Sequence, residues 1–332
     1  MKPSRILGAA AALTLMAGTA MAQAFPEREL LGVIMWGAGG ATDNVARAVT
    51  PHAEAGLGKK VVLLNKSGGA GAISTAYVNS APSDGYTLLY GAENPQLHGV
   101  LGLSKLDYKD FYPVNVLGRG IAVVVVNKDA PWKSFKDLVE DAKKRPGAIK
   151  MGSTGPGGLP HVVGALLNTV TAFKVTAVPF DGEGPGITAL QGGHVDFMPA
   201  GLTAAREHIR AGRVRALAVV DTAEAAAIPG VPPITRDFPG FAKFLPWGPF
   251  YGVFVKRDTP DDVKAKLVDA FKKGANTAEF QKFMEDFGAL SMNISGKDAD
   301  DFLLKWQSVT TWLLHDAGAT KASPDSLGIK RP

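Results

Sequence analysis

The sequence predicts an α/β protein built as two lobes, and three observations carry that prediction. Short β-rich runs alternate with helical patterns along the chain, which implies crossover connections and mixed, mainly parallel sheets flanked by helices. About 310 residues follow an N-terminal leader, more than one hydrophobic core usually organises, so two units are expected. Two stretches break the alternation, Val116-Leu117-Gly118-Arg119-Gly120 and the run from Pro239 to Gly248. If the chain crosses between lobes at both, residues 23–120 and 248–332 form lobe one and 121–247 form lobe two. A two-crossing hinge of that kind closes around a ligand held in the cleft between lobes.

The leader comes first. Lys2 and Arg5 precede the apolar run Ile6 to Met16, and Ala20-Met21-Ala22 supplies a small-residue cleavage pattern, so residues 1–22 read as a secretory signal peptide cleaved near Ala22. No later apolar run reaches the roughly 20 residues a membrane span requires. The absence of cysteine excludes disulfides, thiol catalysis and a lipid-anchored export form. The chain is therefore expected free in the periplasm, as a monomer, with no stable membrane insertion. Removing residues 1–22 takes away two basic side chains and no acid, which lowers the formal charge from +5 to +3. The remaining lysines and arginines are dispersed, so nucleic acid and membrane surfaces are not expected partners.

The strands expected in order are 30–35, 60–65, 86–91, 121–127, 149–153, 175–180, 195–200, 215–220 and 250–256. Between them the helices carry legible punctuation. Ser134 caps a helix that runs through Lys144, presents Leu138, Val139 and Ala142 on one face, and ends at Pro146-Gly147. Thr259-Pro260 opens another, with Val263, Leu267, Ala270 and Phe271 along one side. The last long helix spans roughly Lys297 to Asp316, and its Phe302, Trp306 and Leu313 are expected in the core rather than at a site.

The first strand runs into Met35-Trp36-Gly37-Ala38-Gly39-Gly40-Ala41-Thr42-Asp43 and then a helix. Such a turn leaves backbone N–H groups unpaired at the positive end of a helix dipole, a place to hold a carboxylate or phosphate. Met151-Gly152-Ser153-Thr154-Gly155-Pro156-Gly157-Gly158-Leu159-Pro160-His161 repeats the pattern in the other lobe, where Ser153 and Thr154 add hydroxyls. Two such turns, one per lobe, could grip one anion, although tight strand-to-helix connections alone also explain them. Gly37-x-Gly39 begins a dinucleotide fingerprint, but its third position is Thr42, and the next strand ends in Asn65 where a ribose needs an acid. No phosphate-binding Walker motif, zinc-type histidine spacing or G-x-S-x-G elbow occurs. No cofactor, metal or catalytic group is therefore expected. Asp196 lies inside an apolar strand, so its carboxylate either caps a neighbouring segment or approaches the site.

The chain resembles the solute-binding proteins of tripartite tricarboxylate transporters, the Bug family, over essentially all of the segment after the leader. The resemblance rests on Trp36 to Arg47, Asn65-Lys66-Ser67-Gly68-Gly69-Ala70-Gly71, Ala81-Pro82-Ser83-Asp84-Gly85-Tyr86 and Gly152-Ser153-Thr154-Gly155. It continues at Leu190-Gln191-Gly192-Gly193-His194-Val195-Asp196, Ala211-Gly212-Arg213-Val214-Arg215 and Tyr251-Gly252-Val253-Phe254. It implies a type II-like periplasmic-binding-protein fold that clamps a small carboxylate and delivers it to the large and small membrane subunits of a permease. A periplasmic sensor for a membrane signalling protein is the alternative role; an enzyme on the same fold lacks a visible nucleophile–base pair. The resemblance also implies ligand contacts from Trp36, Gly37, Ala38, Gly39, Gly40, Thr42 and Asp43, and from Ser153, Thr154, Gly155 and His161.

At the other end of the ligand the chain departs from the family. Members commonly place a tyrosine and a base after the strand that here ends Val178-Pro179, whereas this chain has Phe180-Asp181-Gly182-Glu183. The loop Gly91-Ala92-Glu93-Asn94-Pro95 adds a further acid. If Glu93 and Asp181 face the cleft, with Tyr251 on an apolar wall, a ligand with one carboxylate and a hydroxyl, amino or aromatic remainder is expected; the alternative is that both acids point to solvent.

Overall fold

The computed structural model describes residues 25–155, 157–180 and 182–332. The leader 1–22, Pro156 and Asp181 lie outside the described residues. The chain opens with β1 (Leu30–Ile34), α1 (Ala41–Leu57), β2 (Val61–Asn65), α2 (Ala72–Ser80), β3 (Thr87–Ala92), α3 (His98–Leu101) and β4 (Phe111–Gly120). It continues through β5 (Ala122–Asn127), α4 (Phe135–Lys144), β6 (Lys150–Thr154), α5 (Leu159–Thr171), β7 (Thr176–Phe180), α6 (Glu183–Gln191), β8 (Phe197–Gly201), α7 (Leu202–Arg210) and β9 (Val214–Val219). The last part comprises β10 (Phe250–Lys256), α8 (Asp261–Ala275), α9 (Ala278–Asp286), β11 (Ala289–Ile294) and α10 (Gly296–Asp316).

These strands make two sheets flanked by helices, one ordered β11-β4-β10-β3-β1-β2 and the other β7-β6-β8-β5-β9. The pairing is less parallel than the alternation implied. In the first sheet β1 runs parallel to β2 and β3, while β10 is antiparallel to β3 and β4, and β11 to β4. In the second, β6 runs parallel to β7 and β8, and β5 is antiparallel to β8 and β9. The crossings account for this. The chain leaves the first sheet along β4, enters β5 after the single residue Ile121, and returns along β10, so the outgoing and returning strands lie side by side in opposite directions.

Sequence patterning missed β4 and β11. In β4, Pro113, Asn115 and two glycines mimic a loop, yet the strand is buried almost throughout. Proline cannot donate to the ladder, and the β4–β10 register shifts between Val253 and Phe254, where Phe254 faces Pro113. Asn115 is fully buried and donates from Nδ2 to Asn293 Oδ1 at 2.7 Å. The helix punctuation is clearer. Ser134 Oγ accepts from Asp137 N at 3.1 Å while Asp137 Oδ2 accepts from Ser134 N at 3.0 Å, a reciprocal capping box.

Helix α10 ties the two sheets together. Leu303, Trp306, Leu313 and Leu314 belong to the same buried cluster as Val33 and Leu89 of the first sheet and Val124, Leu166 and Leu167 of the second half. Trp306 stacks on Trp247 with ring centroids 5.9 Å apart. Trp306 Nε1 donates to Gly248 O at 2.8 Å, and Trp247 Nε1 to Thr310 Oγ1 at 3.0 Å. Both indoles thus bury their rings and satisfy their N–H groups.

Candidate functional site

The two crossing segments touch: Gly120 N donates to Pro249 O at 2.7 Å, and Leu202 N donates to Ile121 O at 2.7 Å. Beside them lies a cavity of about 870 Å³ lined by residues of both sheets. From the first come Trp36, Gly37, Ala38, Gly40, Thr42, Glu93, Asn94 and Tyr251; from the second come Thr154, Gly155, Phe180 and Glu183.

The loop after β1 is held from outside the cavity. Gly39 has φ +79° and opens the turn, and Gly40 precedes α1 with its N–H on Gly37 O at 3.3 Å. Asn44 N reaches back to Gly40 O at 2.9 Å. The amides ahead of Asn44 belong to a helical first turn, whose N–H groups have no acceptor within the helix. Asp43 is turned to structural work: its carboxylate accepts from Gly39 N, Arg47 Nε and Asn65 Nδ2 at 2.9, 2.9 and 2.8 Å. Burial by itself would raise its pKa, but the bonds from Arg47, Asn65 and Gly39 win and hold it below the usual carboxylate value. Asn65 Nδ2 also donates to Trp36 O at 2.9 Å, so the residue that breaks the dinucleotide pattern props this loop.

The loop after β6 is built alike. Gly158 precedes α5 with its N–H on Gly155 O at 3.1 Å, and Val162 N reaches Gly158 O at 3.0 Å. Pro160, in the first turn, has no N–H to leave unpaired. Thr154 lines the cavity, and its buried Oγ1 has no hydrogen-bond partner among the described residues. Ser153 is buried behind it, with Oγ 3.3 Å from Thr154 O. His161 faces the loop rather than the cavity: Nδ1 accepts from Gly157 N at 3.2 Å, and burial lowers its pKa, which keeps the ring neutral. The N-termini of α1 and α5 therefore open on one cavity from opposite sheets, and neither loop carries a lysine or arginine. Backbone dipoles are the anion-holding groups available there.

The cavity is also lined by acids, after β3 and after β7. Glu93 follows β3, is 8% exposed, and has its pKa pushed up to about 7 by burial, with Glu183 adding to the shift. Glu183 opens α6 and accepts from Gly201 N at 2.9 Å; burial raises its pKa too. Tyr251 is buried beside both acids, and burial together with their charges raises the pKa of its phenol. Asp196 lies at the opposite end of β8, where it accepts from Lys150 N at 2.7 Å and caps a strand edge away from the cavity. Sequence reading noted both acids of this loop but proposed only Asp181, not Glu183, for the cleft. It also overlooked Lys321, which lines the cavity from the segment after α10.

Two α/β sheets joined by two adjacent crossings, with a cleft flanked by a helix N-terminus from each, define a solute-binding protein of the periplasmic kind. The chain belongs to the tripartite tricarboxylate transporter receptor family, whose model, described as "Tripartite tricarboxylate transporter family receptor", matches residues 45–310. A Pseudomonas sp. (strain P51) protein encoded in the tcbD-tcbE intergenic region is 31% identical over 270 residues, 80% of this chain and 79% of that one. Among solved structures, an R. palustris protein with adipate aligns with TM-score 0.79 and 26% identity, covering 89% of this chain and 98% of that one. MatC from Rhodopseudomonas palustris with bound malate aligns with TM-score 0.70 and 27% identity, covering 88% and 98%. Among the described residues no helix is long and apolar enough to cross a membrane.

Proposed function

We propose that this chain is a periplasmic receptor that captures a small carboxylate in the cleft and delivers it to the large and small membrane subunits of a tripartite transporter. The observation that carries the proposal is the pair of helix N-termini, α1 and α5, facing one cavity from two sheets through loops free of basic side chains. A carboxylate there is stabilised by amide dipoles and released when the lobes part, which suits a protein that carries rather than converts its ligand. The adipate and malate in the two R. palustris structures support that ligand class. Trp36, Gly37, Ala38, Gly40, Thr42, Thr154 and Gly155 are the residues proposed to hold it; Asp43, Ser153 and His161 hold the loops themselves.

Lobe one is proposed to comprise residues 23–120 and 248–332 and lobe two 121–247, which agrees with sheet membership on either side of Ile121 and Pro249. The leader is proposed to be removed near Ala22. Thermal unfolding of residues 23–332 against dicarboxylates, hydroxy acids and amino acids tests the function. A ligand at a thousand times its Kd stabilises the fold by about 4 kcal/mol, a shift of several degrees. A complete lack of response to carboxylates would reject it.

A further inference from the structure

Charge is unevenly distributed along the cleft. The two Gly-rich loops present backbone amides, and Lys321 stands near them: its backbone N–H bonds Val100 O at 2.8 Å, beside Leu101, which packs against Gly157. Glu93 and Glu183 line the same cavity from different sheets, by the crossing segments. Strand register places them there. Glu93 follows Ala92, which pairs with Tyr251; Glu183 holds Gly201, which pairs with Ala122 next to Ile121.

Asn94, next to Glu93 in sequence, reaches from the acidic loop toward the second Gly-rich loop and gives a separate indication of what the cavity receives. It is 4% exposed and lines the same cavity. Its side chain contacts Gly157 O at 3.3 Å, and a carbonyl accepts only, so the atom there is Nδ2 and the other is Oδ1. That Oδ1 is buried without a hydrogen-bond partner among the described residues. Once ionised, the two acids offer only acceptors, as does the unpaired carbonyl oxygen, and among the described lining residues Lys321 is the cation.

We propose that the Glu93–Glu183 end of the cleft is a cation subsite that takes the ammonium group of a ligand whose carboxylate lies against the two Gly-rich loops. The ligand class is then an aminocarboxylate, and a dicarboxylate is disfavoured because its second charge would meet two buried acids. The proposal rests on the carboxylate-receptor function above and narrows it. An ammonium supplies donors to that end and favours the ionised form of both acids, which burial alone disfavours.

Calorimetric titration of residues 23–332 at neutral pH tests it, with succinate, glutarate and adipate set against the ω-amino acids and plain monoacids of the same chain lengths, and α-amino acids alongside. The expected result is an aminocarboxylate that binds at least tenfold tighter than the matching diacid. E93Q and E183Q should each reduce that preference at least tenfold. Both keep side-chain shape and remove the carboxylate an ammonium would pair with, and either variant alone suffices if the other does not fold. A diacid bound as tightly as its aminocarboxylate, or a preference unchanged in both variants, overturns the cation subsite and leaves the receptor function standing. Failure of every carboxylate to bind instead rejects the receptor function, and the subsite with it.

Discussion

Arg119 and Asp221 form an ion pair at the point where the chain passes between sheets, with Arg119 Nη2 donating to Asp221 Oδ2 at 2.7 Å. Arg119 Nη1 donates to Trp247 O at 2.8 Å, so one guanidinium ties the outgoing strand β4, the segment after β9 and the segment entering β10. Their side chains are 9% and 10% exposed, and removing one partner of so buried a pair leaves a charge without compensation. Asp221→Ala is expected to cost about 3 kcal/mol, read as a lower urea midpoint at constant m value. A loss below about 1 kcal/mol would mean that the pair behaves like an exposed one.

The Gly-rich loops separate folding from binding. A Cβ placed on Gly37 or Gly155 meets no atom within 4 Å, and neither residue has the positive φ that strains other side chains. Gly37→Ala and Gly155→Ala should therefore leave stability within about 1 kcal/mol, with a small gain from the less flexible unfolded chain. Each methyl would occupy space against which a carboxylate must seat, and affinity should fall at least tenfold. Gly158→Ala differs in kind. Its Cβ would lie 2.2 Å from Thr154 Oγ1, so both stability and affinity should drop. Unchanged affinity in both Gly37→Ala and Gly155→Ala would move the ligand away from the helix N-termini.

Glu93 makes the ligand-free protein sensitive to pH. Burial pushes its pKa from 4.5 up to about 7, and the neighbouring Glu183 shifts in the same direction for the same main cause. Below about pH 4.5 the carboxyl is protonated whether the chain is folded or not, and no penalty arises. As pH rises toward 7 the unfolded carboxyl loses its proton while the folded one keeps it, so stability falls across that window and then levels off. The penalty reaches about 3 kcal/mol. Glu93→Gln should therefore match the parent at the acid end and exceed it in stability at neutral pH. A stability difference between the two that does not change with pH would place Glu93 in water.

How much of this was legible in the sequence depended on what each residue answers to. Nine strands and the capped helices follow from local pattern, because alternation and capping act within a few residues. Strand β4 escaped because Pro113, Asn115 and Gly118 are poor strand formers, accepted only because β10 and β11 pair with it on both sides. The two Gly-rich loops were visible as strand-to-helix turns, but not which of their side chains face the loops themselves: Asp43 is drawn there partly by Asn65, twenty-two positions away, while His161 takes a bond from Gly157, four positions before it, that residue types alone do not announce. Glu183 was hidden for a similar reason. Its place in the cleft comes from its bond to Gly201, eighteen positions away. Lys321 reaches the cleft only because α10 crosses both sheets and returns the chain to Val100.

Trp36 offers a direct optical report of occupancy. Of the five tryptophans, Trp132, Trp247, Trp306 and Trp312 are no more than 6% exposed, while Trp36 is part-exposed and lines the cleft. A ligand seated against the first loop changes the surroundings of that indole alone unless the lobes also move. Closure of the proposed lobes would pivot where Gly120 meets Pro249, and Trp306 is anchored there through Gly248 O, so closure should add a smaller second signal from the Trp247–Trp306 stack. Titration of the parent should therefore change fluorescence strongly, and Trp36→Phe should remove most of that change while leaving the unfolding midpoint nearly unaltered. Small-angle scattering separates the two contributions, since closure reduces the radius of gyration and loop contact alone does not. A residual signal in Trp36→Phe together with a smaller radius identifies closure about the two crossings. A full signal in Trp36→Phe would instead show that the ligand lies away from the first loop, and the assignment of the α1 N-terminus to carboxylate binding would fall.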